Sequence, residues 1–458
     1  MGKRVVIIGA GAAGCTAAAY ARKYDRKAEI TIIDKEPYIG YSRCGLPFVL
    51  EGIIDDFQDL IVYTPQFLKM NKIEYKVNTE VLKIDLNSKT ISIAPSEGGN
   101  EEVLGFDALI LATGARSFKP PIEGIDKENV FQTRTIDDWH KIKEFVKKRK
   151  KSQGVIIGGG LVGLEAASAL SNKDIKVTVV EMLSQILPQM LDPDMAKEVE
   201  THLKKEEISL LINKKVEAIN GEKQVESVSV NGEEITTDFA ILAVGVKPNV
   251  EITKSFAKIG EGIRVDEKMN ILKSKDNDMP IPNMYACGDC AEVKHQITGE
   301  WVTPFLGSSA VRQGKIAGIN AIGGSKTFPG VLISTVTKIF DLEIGAVGLT
   351  ETMAKKAGIN PVKQKIVGET RAHYYPGGTK TKVKLLADQK NSKIIGAQIV
   401  GGEGVAQTIN TIATALQKNA TASDLENIDT CYSPPLSDYI PPWSNASELI
   451  IKRLRRSK

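Results

Sequence analysis

Cys44 is the residue of this chain best suited to redox chemistry, and no second cysteine lies near it in the sequence to form a dithiol pair. A dithiol enzyme with a C-x-x-C pair would carry its second sulfur at position 47, which is Pro47. One with a spacing of about five residues would carry it at Val49. A lone redox cysteine alternates between a thiolate and either a sulfenic acid or a mixed disulfide with a small thiol. The alternative is a buried, unreactive cysteine, and the surrounding sequence favours the redox interpretation.

The residues that flank Cys44 predict an electropositive setting for its sulfur. The stretch from Gly45 to Leu50 has the pattern of a helix start, and Arg43 directly precedes the cysteine. Backbone amides at a helix start and a neighbouring cation both favour the nucleophilic thiolate. Such a thiolate is predicted to attack a small disulfide or a polysulfide. A bulky protein disulfide is disfavoured, because no second cysteine is present to resolve it.

The elements that would position this sulfur include a strand–turn–helix–strand module that occurs twice. The first copy runs through Lys3–Gly14 to a strand ending at Asp34, and the second through Gly154–Gly163 to a strand ending at Glu181. In each, the first glycine makes a tight turn, the second admits a pyrophosphate, and the third packs the helix on the strand. The terminal acid is suited to ribose hydroxyls. Two dinucleotide sites are predicted, one with a permanently bound ligand and one that exchanges.

Glu181 also predicts which nicotinamide cofactor the second module prefers. It is followed by Met182, Leu183 and Ser184, with no arginine nearby. A carboxylate in this place repels a 2′-phosphate, so NADH is predicted over NADPH, which stays an alternative.

Composition excludes several other classes of protein. The 458 residues are 42% hydrophobic and 25% charged with a net charge of +4, which fits a globular chain of roughly two to four domains. The basic runs at 147–151 and 452–456 lack interleaved aromatic residues, so nucleic acid is not a predicted partner. Only five cysteines occur, which favours a reducing compartment. No stretch approaches the about 20 apolar residues of a membrane span. The sequence therefore predicts a cytoplasmic protein.

Further motifs make the whole sequence resemble the pyridine nucleotide-disulfide oxidoreductases. They are Leu111–Ala115, Ala243–Asn249 and Tyr285–Cys290. The resemblance is strongest to the single-cysteine branch of NADH oxidases, NADH peroxidases and coenzyme A-disulfide reductases, and to its archaeal NADH oxidase-like members in particular. It implies an α/β fold with two Rossmann-like dinucleotide-binding domains, for FAD and NAD, and a C-terminal α+β dimerisation domain. The implied limits are 1–115 with 251–324 for the FAD-binding domain, 116–250 for the NAD(P)H-binding domain and 325–458 for the dimerisation domain.

The resemblance also assigns binding residues. For FAD it implies Gly9, Gly11, Ala12, Ala13, Gly14, Asp34, Lys35, Ser42, Arg43, Ala112, Thr113, Gly114, Gly288 and Asp289. For the nicotinamide cofactor it implies Gly158, Gly160, Leu161, Val162, Gly163, Glu165, Glu181 and Gly245. Asp289 matches an aspartate that contacts the ribityl chain. Glu165 matches a glutamate near the flavin–nicotinamide contact, although an ordinary acid favoured by the helix dipole is the alternative. No metal site is predicted, because Cys287 and Cys290 lack the further ligands of a four-coordinate site.

Two C-terminal segments, His373–Gly378 and Cys431–Pro435, resemble segments that reach the partner subunit's cysteine in a homodimer. Tyr375 and Tyr432 match tyrosines that take part in the sulfur chemistry of coenzyme A-disulfide reductases. The predicted catalytic residues are therefore Cys44, Tyr375 and Tyr432, with simple ring packing as the alternative for the tyrosines.

Two positions depart from the oxidase and peroxidase pattern. Those enzymes carry a histidine where this chain has Ala12, so efficient peroxide reduction is disfavoured. Leu161 stands where many relatives have a tyrosine that covers the flavin, so some oxygen reduction to hydrogen peroxide is expected.

The predicted function is transfer of electrons from NAD(P)H through FAD to Cys44. That sulfur then reduces a small disulfide such as coenzyme A disulfide, or polysulfide or sulfur. Coenzyme A enters as a substrate or as an adduct on the cysteine. One alternative is an NADH oxidase that converts O2 to hydrogen peroxide or water. Another, which does not need Cys44, is a reductase of a protein electron carrier.

Overall fold

The computed structural model describes residues 2–149, 151–274 and 278–456, which form two compact units. The first unit comprises Met1–Phe118, Arg134–Ile136 and Val246–Val331, and the second comprises Lys119–Thr133, Asp137–Gly245 and Leu332–Lys458. The predicted α/β class with a C-terminal α+β part is confirmed. The predicted limits of the three domains stay predictions.

The first unit is built on a mainly parallel sheet. In spatial order its strands are β19 (Asn270–Leu272), β20 (Pro280–Ala286), β7 (Ala108–Leu111), β1 (Arg4–Ile8), β2 (Glu29–Ile33) and β3 (Ile73–Lys76). β7 is buried throughout and β1 from its second residue on, as expected for strands covered on both faces. The chain runs outward from β1 through β2 to β3 and then returns to the other side of β1 as β7. The carboxyl edge between β1 and β7 is therefore a topological switch point, where open α/β sheets bind ligands.

Helices and smaller sheets complete the first unit. The helices are α1 (Ala12–Tyr24), α2 (Leu46–Glu51), α3 (Pro65–Met70) and α7 (Gly307–Ala321). The smaller sheets pair β4 (Thr79–Asp85), β5 (Thr90–Pro95) and β6 (Glu102–Gly105); β8 (Ala115–Ser117) and β17 (Val246–Pro248); and β18 (Ile263–Arg264), β21 (Ala291–Lys294) and β22 (Trp301–Val302).

The second unit contains a parallel sheet of the same design. Its strands in spatial order are β12 (Ser209–Ile212), β11 (Lys176–Glu181), β10 (Gln153–Ile157), β16 (Phe239–Leu242) and β9 (Val130–Phe131). The switch point here lies between β10 and β16, which pair in parallel. The accompanying elements are α4 (Ile136–Lys148), α5 (Leu161–Ser171), α6 (Pro193–Lys205) and the sheet of β13 (Val216–Asn220), β14 (Ser227–Val230) and β15 (Glu233–Thr236).

An antiparallel sheet forms the C-terminal part of the second unit. Its spatial order is β23 (Thr335–Ile339), β24 (Leu342–Gly348), β27 (Ile394–Gly401), β26 (Lys380–Asp388) and β25 (Pro361–Glu369). The helices of this part are α8 (Glu351–Lys356), α9 (Val405–Gln417), α10 (Ala422–Glu426) and α11 (Pro442–Arg456). α9 packs on β24 and β27, and α11 packs on β25 and β26. Among the helices described, none combines the length and the hydropathy needed to cross a bilayer.

A buried lysine joins α6 and α8 to the antiparallel sheet of this unit. Lys384 on β26 is 2% exposed, and its Nζ lies 2.5 Å from Asp194 Oδ1, 2.6 Å from Glu351 Oε1 and 3.1 Å from Asp192 Oδ2. Gln398 Nε2 on β27 donates to the same Asp192 oxygen at 2.7 Å. Burial acts to lower the pKa of Lys384, but its hydrogen bonds to the carboxylates outweigh burial and raise that pKa. The ammonium group therefore stays charged and holds the three acidic groups together.

The substitution Lys384→Met is expected to lower the thermal stability of the chain markedly. It leaves the buried Asp192 carboxylate without its cation, a loss that costs about 3–5 kcal/mol. Circular dichroism during heating measures the midpoint of unfolding. Lys390→Met, at an exposed position in the turn after β26, is the matched control and is expected to leave the midpoint close to wild type. Equal midpoints for the two variants would contradict the stabilising role of the buried network.

Candidate active site

The two glycine turns, β1 to α1 and β10 to α5, have the same backbone geometry. Gly9 and Gly158 adopt positive φ angles of 109° and 114°. A Cβ placed on Gly14 would lie 1.9 Å from Gly9 O, and one on Gly163 would lie 2.1 Å from Gly158 O. Side chains are excluded at such distances, so both turns require glycine at their first and third positions.

The second glycine of each turn leaves room for a ligand. Gly11 and Gly160 are the N-cap residues of α1 and α5, and neither helix has a side-chain cap. A Cβ placed on either glycine meets no atom within 4 Å. The uncapped N-terminal amides and the bare backbone beside open space fit the pyrophosphate of a dinucleotide. Both turns therefore suit the cofactors that the motifs imply.

The acid that ends the second strand of each module holds its own glycine turn. Asp34 accepts hydrogen bonds from Ala10 N at 2.5 Å and Glu36 N at 2.8 Å. Glu181 accepts from Gly159 N and Leu183 N, both at 2.7 Å. Burial raises the pKa of Asp34, and the two amides oppose this effect. A carboxylate has about four acceptor sites, so each acid keeps capacity for ribose hydroxyls. The sequence identified both acids as ribose-binding candidates, but it did not predict their hydrogen bonds to the backbone amides of the glycine turns.

Several of the residues predicted to bind FAD converge at the switch point of the first sheet. A Cβ on Gly9 would lie 2.1 Å from Ala112 O, and one on Gly288 would lie 2.9 Å from the Cβ of Ala13. Next to them, Thr113 Oγ1 donates to Asn249 O at 2.7 Å. The carboxyl ends of β1, β7 and β20 thus meet at one edge of the sheet. Lys35 is exposed beside Asp34, and Ser42 is half-buried before the turn that carries Cys44.

An arginine that the sequence reasoning missed links two of the predicted FAD residues. Arg134 forms a 2.7 Å ion pair with Asp289, and its carbonyl oxygen accepts a 2.9 Å hydrogen bond from Arg43. Arg134 Nη2 also lies 3.8 Å from the Cβ position of Gly114. It comes from the short segment 134–136 that belongs to the first unit. No sequence motif contains it, so no local signal could have identified it.

The residues predicted to bind the nicotinamide cofactor lie in the second unit. A Cβ on Gly158 would lie 2.4 Å from Ala243 O, and Gly245 has a φ of 97° with open space around its Cβ position. Leu161 is half-buried and Val162 is exposed at the start of α5. One turn further, Glu165 Oε1 accepts a 2.6 Å hydrogen bond from Thr337, a contact that no motif predicts.

The structure places Cys44 in a 3-10 turn, Arg43–Gly45, directly before the predicted helix, which forms as α2. Cys44 is exposed. A Cβ placed on Gly307, the first residue of α7, would lie 3.8 Å from Cys44 Sγ. α7 also lacks a side-chain cap. The positive end of a 15-residue helix therefore lies beside the sulfur.

Arg43 contributes less positive charge to this setting than the sequence predicts. Its guanidinium forms a 2.9 Å ion pair with Glu36 and a hydrogen bond to the hydroxyl of Tyr41. The charge of Arg43 is thus compensated by a neighbouring carboxylate. The N-terminus of α7, which is distant in sequence, therefore supplies positive potential beside Cys44 that the sequence predicts from Arg43.

The remaining cysteines divide into buried and exposed residues. Cys15, Cys287 and Cys290 are buried, whereas Cys431 is exposed. Burial raises the pKa of both Cys287 and Cys290, and Cys290 Sγ lies 3.3 Å from the carbonyl oxygen of Cys287 as a hydrogen-bond donor. Neutral, buried thiols of this kind are unreactive.

Tyr432, one of the two tyrosines predicted to take part in the sulfur chemistry, is hydrogen-bonded within the chain, whereas the role of Tyr375 stays a prediction. The hydroxyl bonded to Tyr432 is that of Tyr374. Tyr375 is 38% exposed, and its backbone N–H donates a 2.8 Å hydrogen bond to the carbonyl oxygen of Ala372. The hydrogen bond that the Tyr432 hydroxyl donates to Tyr374 is the main cause that raises the pKa of Tyr432 to about 12. Adjacent side chains in a turn point in different directions, so the sequence could not predict that Tyr374 bonds Tyr432.

Comparison with known proteins agrees with this geometry. Residues 3–314 match the family described as pyridine nucleotide-disulphide oxidoreductase, and residues 334–442 match its dimerisation domain. The chain is 43% identical to an NADH oxidase of Methanocaldococcus jannaschii, across 98% of this chain and 99% of that protein. It is 34% identical to an NAD(P)H coenzyme A polysulfide/persulfide reductase of Pyrococcus horikoshii, across 97% and 96%. The structure of an NAD-dependent persulfide reductase from A. fulgidus superposes with a TM-score of 0.94 at 35% identity, covering 99% of this chain and 84% of that one.

The substitution Tyr374→Phe is expected to lower the pKa of Tyr432 from about 12 toward its ordinary value of about 10, because it removes the hydroxyl bonded to Tyr432. The pH dependence of ¹³C-labelled tyrosine ring resonances measures this pKa, with Tyr432→Phe used for assignment. Tyr375→Phe is the control and should leave the pKa of Tyr432 unchanged. If Tyr375→Phe lowered the pKa of Tyr432 and Tyr374→Phe did not, the bond between Tyr374 and Tyr432 would be contradicted.

Proposed function

This chain belongs to the pyridine nucleotide-disulphide oxidoreductases, and we propose that it reduces a small disulfide or a polysulfide with NADH through Cys44. The family implies FAD and NAD(P)H as cofactors. The observation that carries the proposal is the exposed Cys44, whose sulfur lies beside the uncapped N-terminus of α7. That arrangement stabilises a thiolate and leaves it accessible to a substrate.

The sulfur step requires only one cysteine. The Cys44 thiolate attacks one sulfur of a disulfide RSSR, so that a Cys44–SR bond forms and RS⁻ leaves. When bound, FAD and NADH supply the two electrons that cleave this mixed disulfide. Cys44 then returns to the thiolate and the second thiol is released. In total, RSSR takes up two electrons and two protons and becomes two RSH.

A tyrosine pair is the proposed source of a proton for a leaving thiolate. The family resemblance implies that Tyr375 and Tyr432 take part in the sulfur chemistry, and proton donation is the role proposed for them. The hydrogen bond between Tyr432 and Tyr374 favours Tyr374 as the second member. A tyrosine hydroxyl, with an ordinary pKa of about 10, is protonated at neutral pH, as a proton donor must be.

Coenzyme A disulfide, polysulfide or persulfide is the proposed substrate class. The names of the P. horikoshii and A. fulgidus relatives support a sulfur substrate, and the former supports coenzyme A. The net charge of +4 suits a substrate that carries phosphates.

Reduction of O2 is the second candidate function. It is favoured by Leu161, an aliphatic residue where a ring would cover the flavin, and by the name of the M. jannaschii relative. Ala12 supplies no imidazole for peroxide chemistry. Hydrogen peroxide is therefore the expected product of this side activity.

A homodimer is the proposed assembly, because residues 334–442 match a dimerisation domain. Large side chains in this region are exposed in the single chain, among them Tyr374 at 61%, Leu436 at 79% and Tyr439 at 63%. Exposed apolar and aromatic groups in such number are typical of a surface that a partner covers.

The substitution Cys44→Ser is expected to abolish NADH-dependent reduction of coenzyme A disulfide and polysulfide, because the attacking thiolate is lost. Steady-state assays with each acceptor and with O2 measure the effect. Cys431→Ser removes the other exposed thiol and serves as the matched control with near wild-type turnover. Full disulfide turnover in Cys44→Ser would overturn the proposal. Oxygen consumption that persists in this variant would assign the oxidase reaction to the flavin alone.

The substitution Glu181→Gln is expected to reduce the preference for NADH over NADPH by about tenfold, equivalent to ~1.4 kcal/mol. The amide removes the charge that repels a 2′-phosphate and keeps one acceptor oxygen, which bonds Gly159 N, while the bond from Leu183 N is lost. The ratio of kcat/KM values for the two cofactors measures the change, and Glu233→Gln at an exposed strand position is the control. An unchanged ratio would show that Glu181 does not face the ribose.

A further inference from the structure

Two hydrogen bonds join helix α5 to the C-terminal sheet within the second unit. Thr337 Oγ1 on β23 donates to Glu165 Oε1 at 2.6 Å, and Phe340 N donates to Ser168 Oγ at 3.1 Å. Glu165 and Ser168 are three residues apart and therefore lie on one face of the helix. Thr337 and Ser168 are both buried, at 7% and 4% exposure. The edge strand of one sheet thus fixes the helix that follows the second glycine turn.

The carboxyl of Glu165 is controlled by its burial and by Thr337. Burial raises the pKa of Glu165, and the hydrogen bond from Thr337 opposes this effect. Charged residues on the packed strands are Lys176 and Glu181 on β11 and Lys338 on β23. Within the described part of the chain, no charged side chain contributes to the shift in the pKa of Glu165 besides burial and the Thr337 hydrogen bond. The Thr337 hydroxyl is accordingly the polar group that favours the ionised form of Glu165.

We propose that Thr337 is a positioning residue that orients the Glu165 carboxylate toward a bound nicotinamide ring. This inference rests on the proposed function, in which the turn before α5 binds NAD(H). Glu165 lies four residues after Leu161 and hence on the same side of α5 at its N-terminal end. NAD⁺ carries a positive charge on its nicotinamide ring, which an oriented carboxylate attracts. Thr337 acts through Glu165 and touches no substrate itself.

The test measures NAD⁺ affinity without turnover, by isothermal titration calorimetry on the FAD-loaded enzyme between about pH 5 and 8. In the wild type, affinity should fall on acidification as Glu165 takes up a proton. Thr337→Val removes the hydroxyl but keeps the branched shape, so the pKa of Glu165 should rise. The fall in affinity is then expected at a pH higher by about one unit.

Three further variants make the result specific. Thr337→Ser restores a hydroxyl and should return the profile to that of the wild type. Thr335→Val, the same change on the same strand, should have no effect. Glu165→Gln should give weaker binding that no longer depends on this ionisation.

The outcomes separate this inference from the proposed function. Superimposable profiles for Thr337→Val and the wild type would overturn the positioning role. A Glu165→Gln profile identical to that of the wild type would also overturn it, because the carboxylate would not face the nicotinamide. Failure of the wild-type enzyme to bind NAD⁺ at any pH would overturn the proposed function itself.

Discussion

The close packing of α1 against α7 is the constraint on which the arrangement of the first unit depends. A Cβ placed on Gly314 of α7 would lie 2.3 Å from Ala13 O, and one on Gly318 would lie 2.2 Å from Ala17 O. Only small residues allow the two helix backbones to come so near. The N-terminus of α1 follows the first glycine turn directly, and α7, packed against α1, has its own N-terminus beside Cys44. In the proposed function, the two helix dipoles face two different anionic groups, a pyrophosphate and a thiolate.

Several charges near the glycine turns, near Cys44 and in the C-terminal sheet are paired locally, and oriented backbone dipoles supply further positive potential. Arg43 is paired with Glu36, Arg134 with Asp289, and Lys384 with three carboxylates. Asp34 and Glu181 are held by amides of the turns that they follow. With these side-chain charges compensated, the uncapped N-termini of α1, α5 and α7 remain as positive poles. Such fixed dipoles need no reorganisation when an anion binds or forms.

The sequence predicted what depends on short-range physics and failed where distant segments meet. Continuous apolar strands, glycine turns and terminal acids are local patterns, and both modules formed as expected. The helix after Cys44 also formed where its residues predicted. The contact of Gly307 with Cys44, the ion pair of Arg134 and the bond from Thr337 to Glu165 join residues far apart in the chain. The hydrogen bond between Tyr374 and Tyr432 depends on side-chain directions in a turn, which spacing alone does not give.

Mass spectrometry of the protein, reduced with dithiothreitol, freed of it and then incubated with coenzyme A disulfide without NADH, tests the central claim most directly. If Cys44 is the single attacking sulfur, its peptide gains the mass of one coenzyme A per subunit, and dithiothreitol removes it. The peptides of Cys15, Cys287 and Cys290 stay unmodified because their thiols are buried. An unmodified Cys44 peptide together with an adduct on Cys431 would contradict the account.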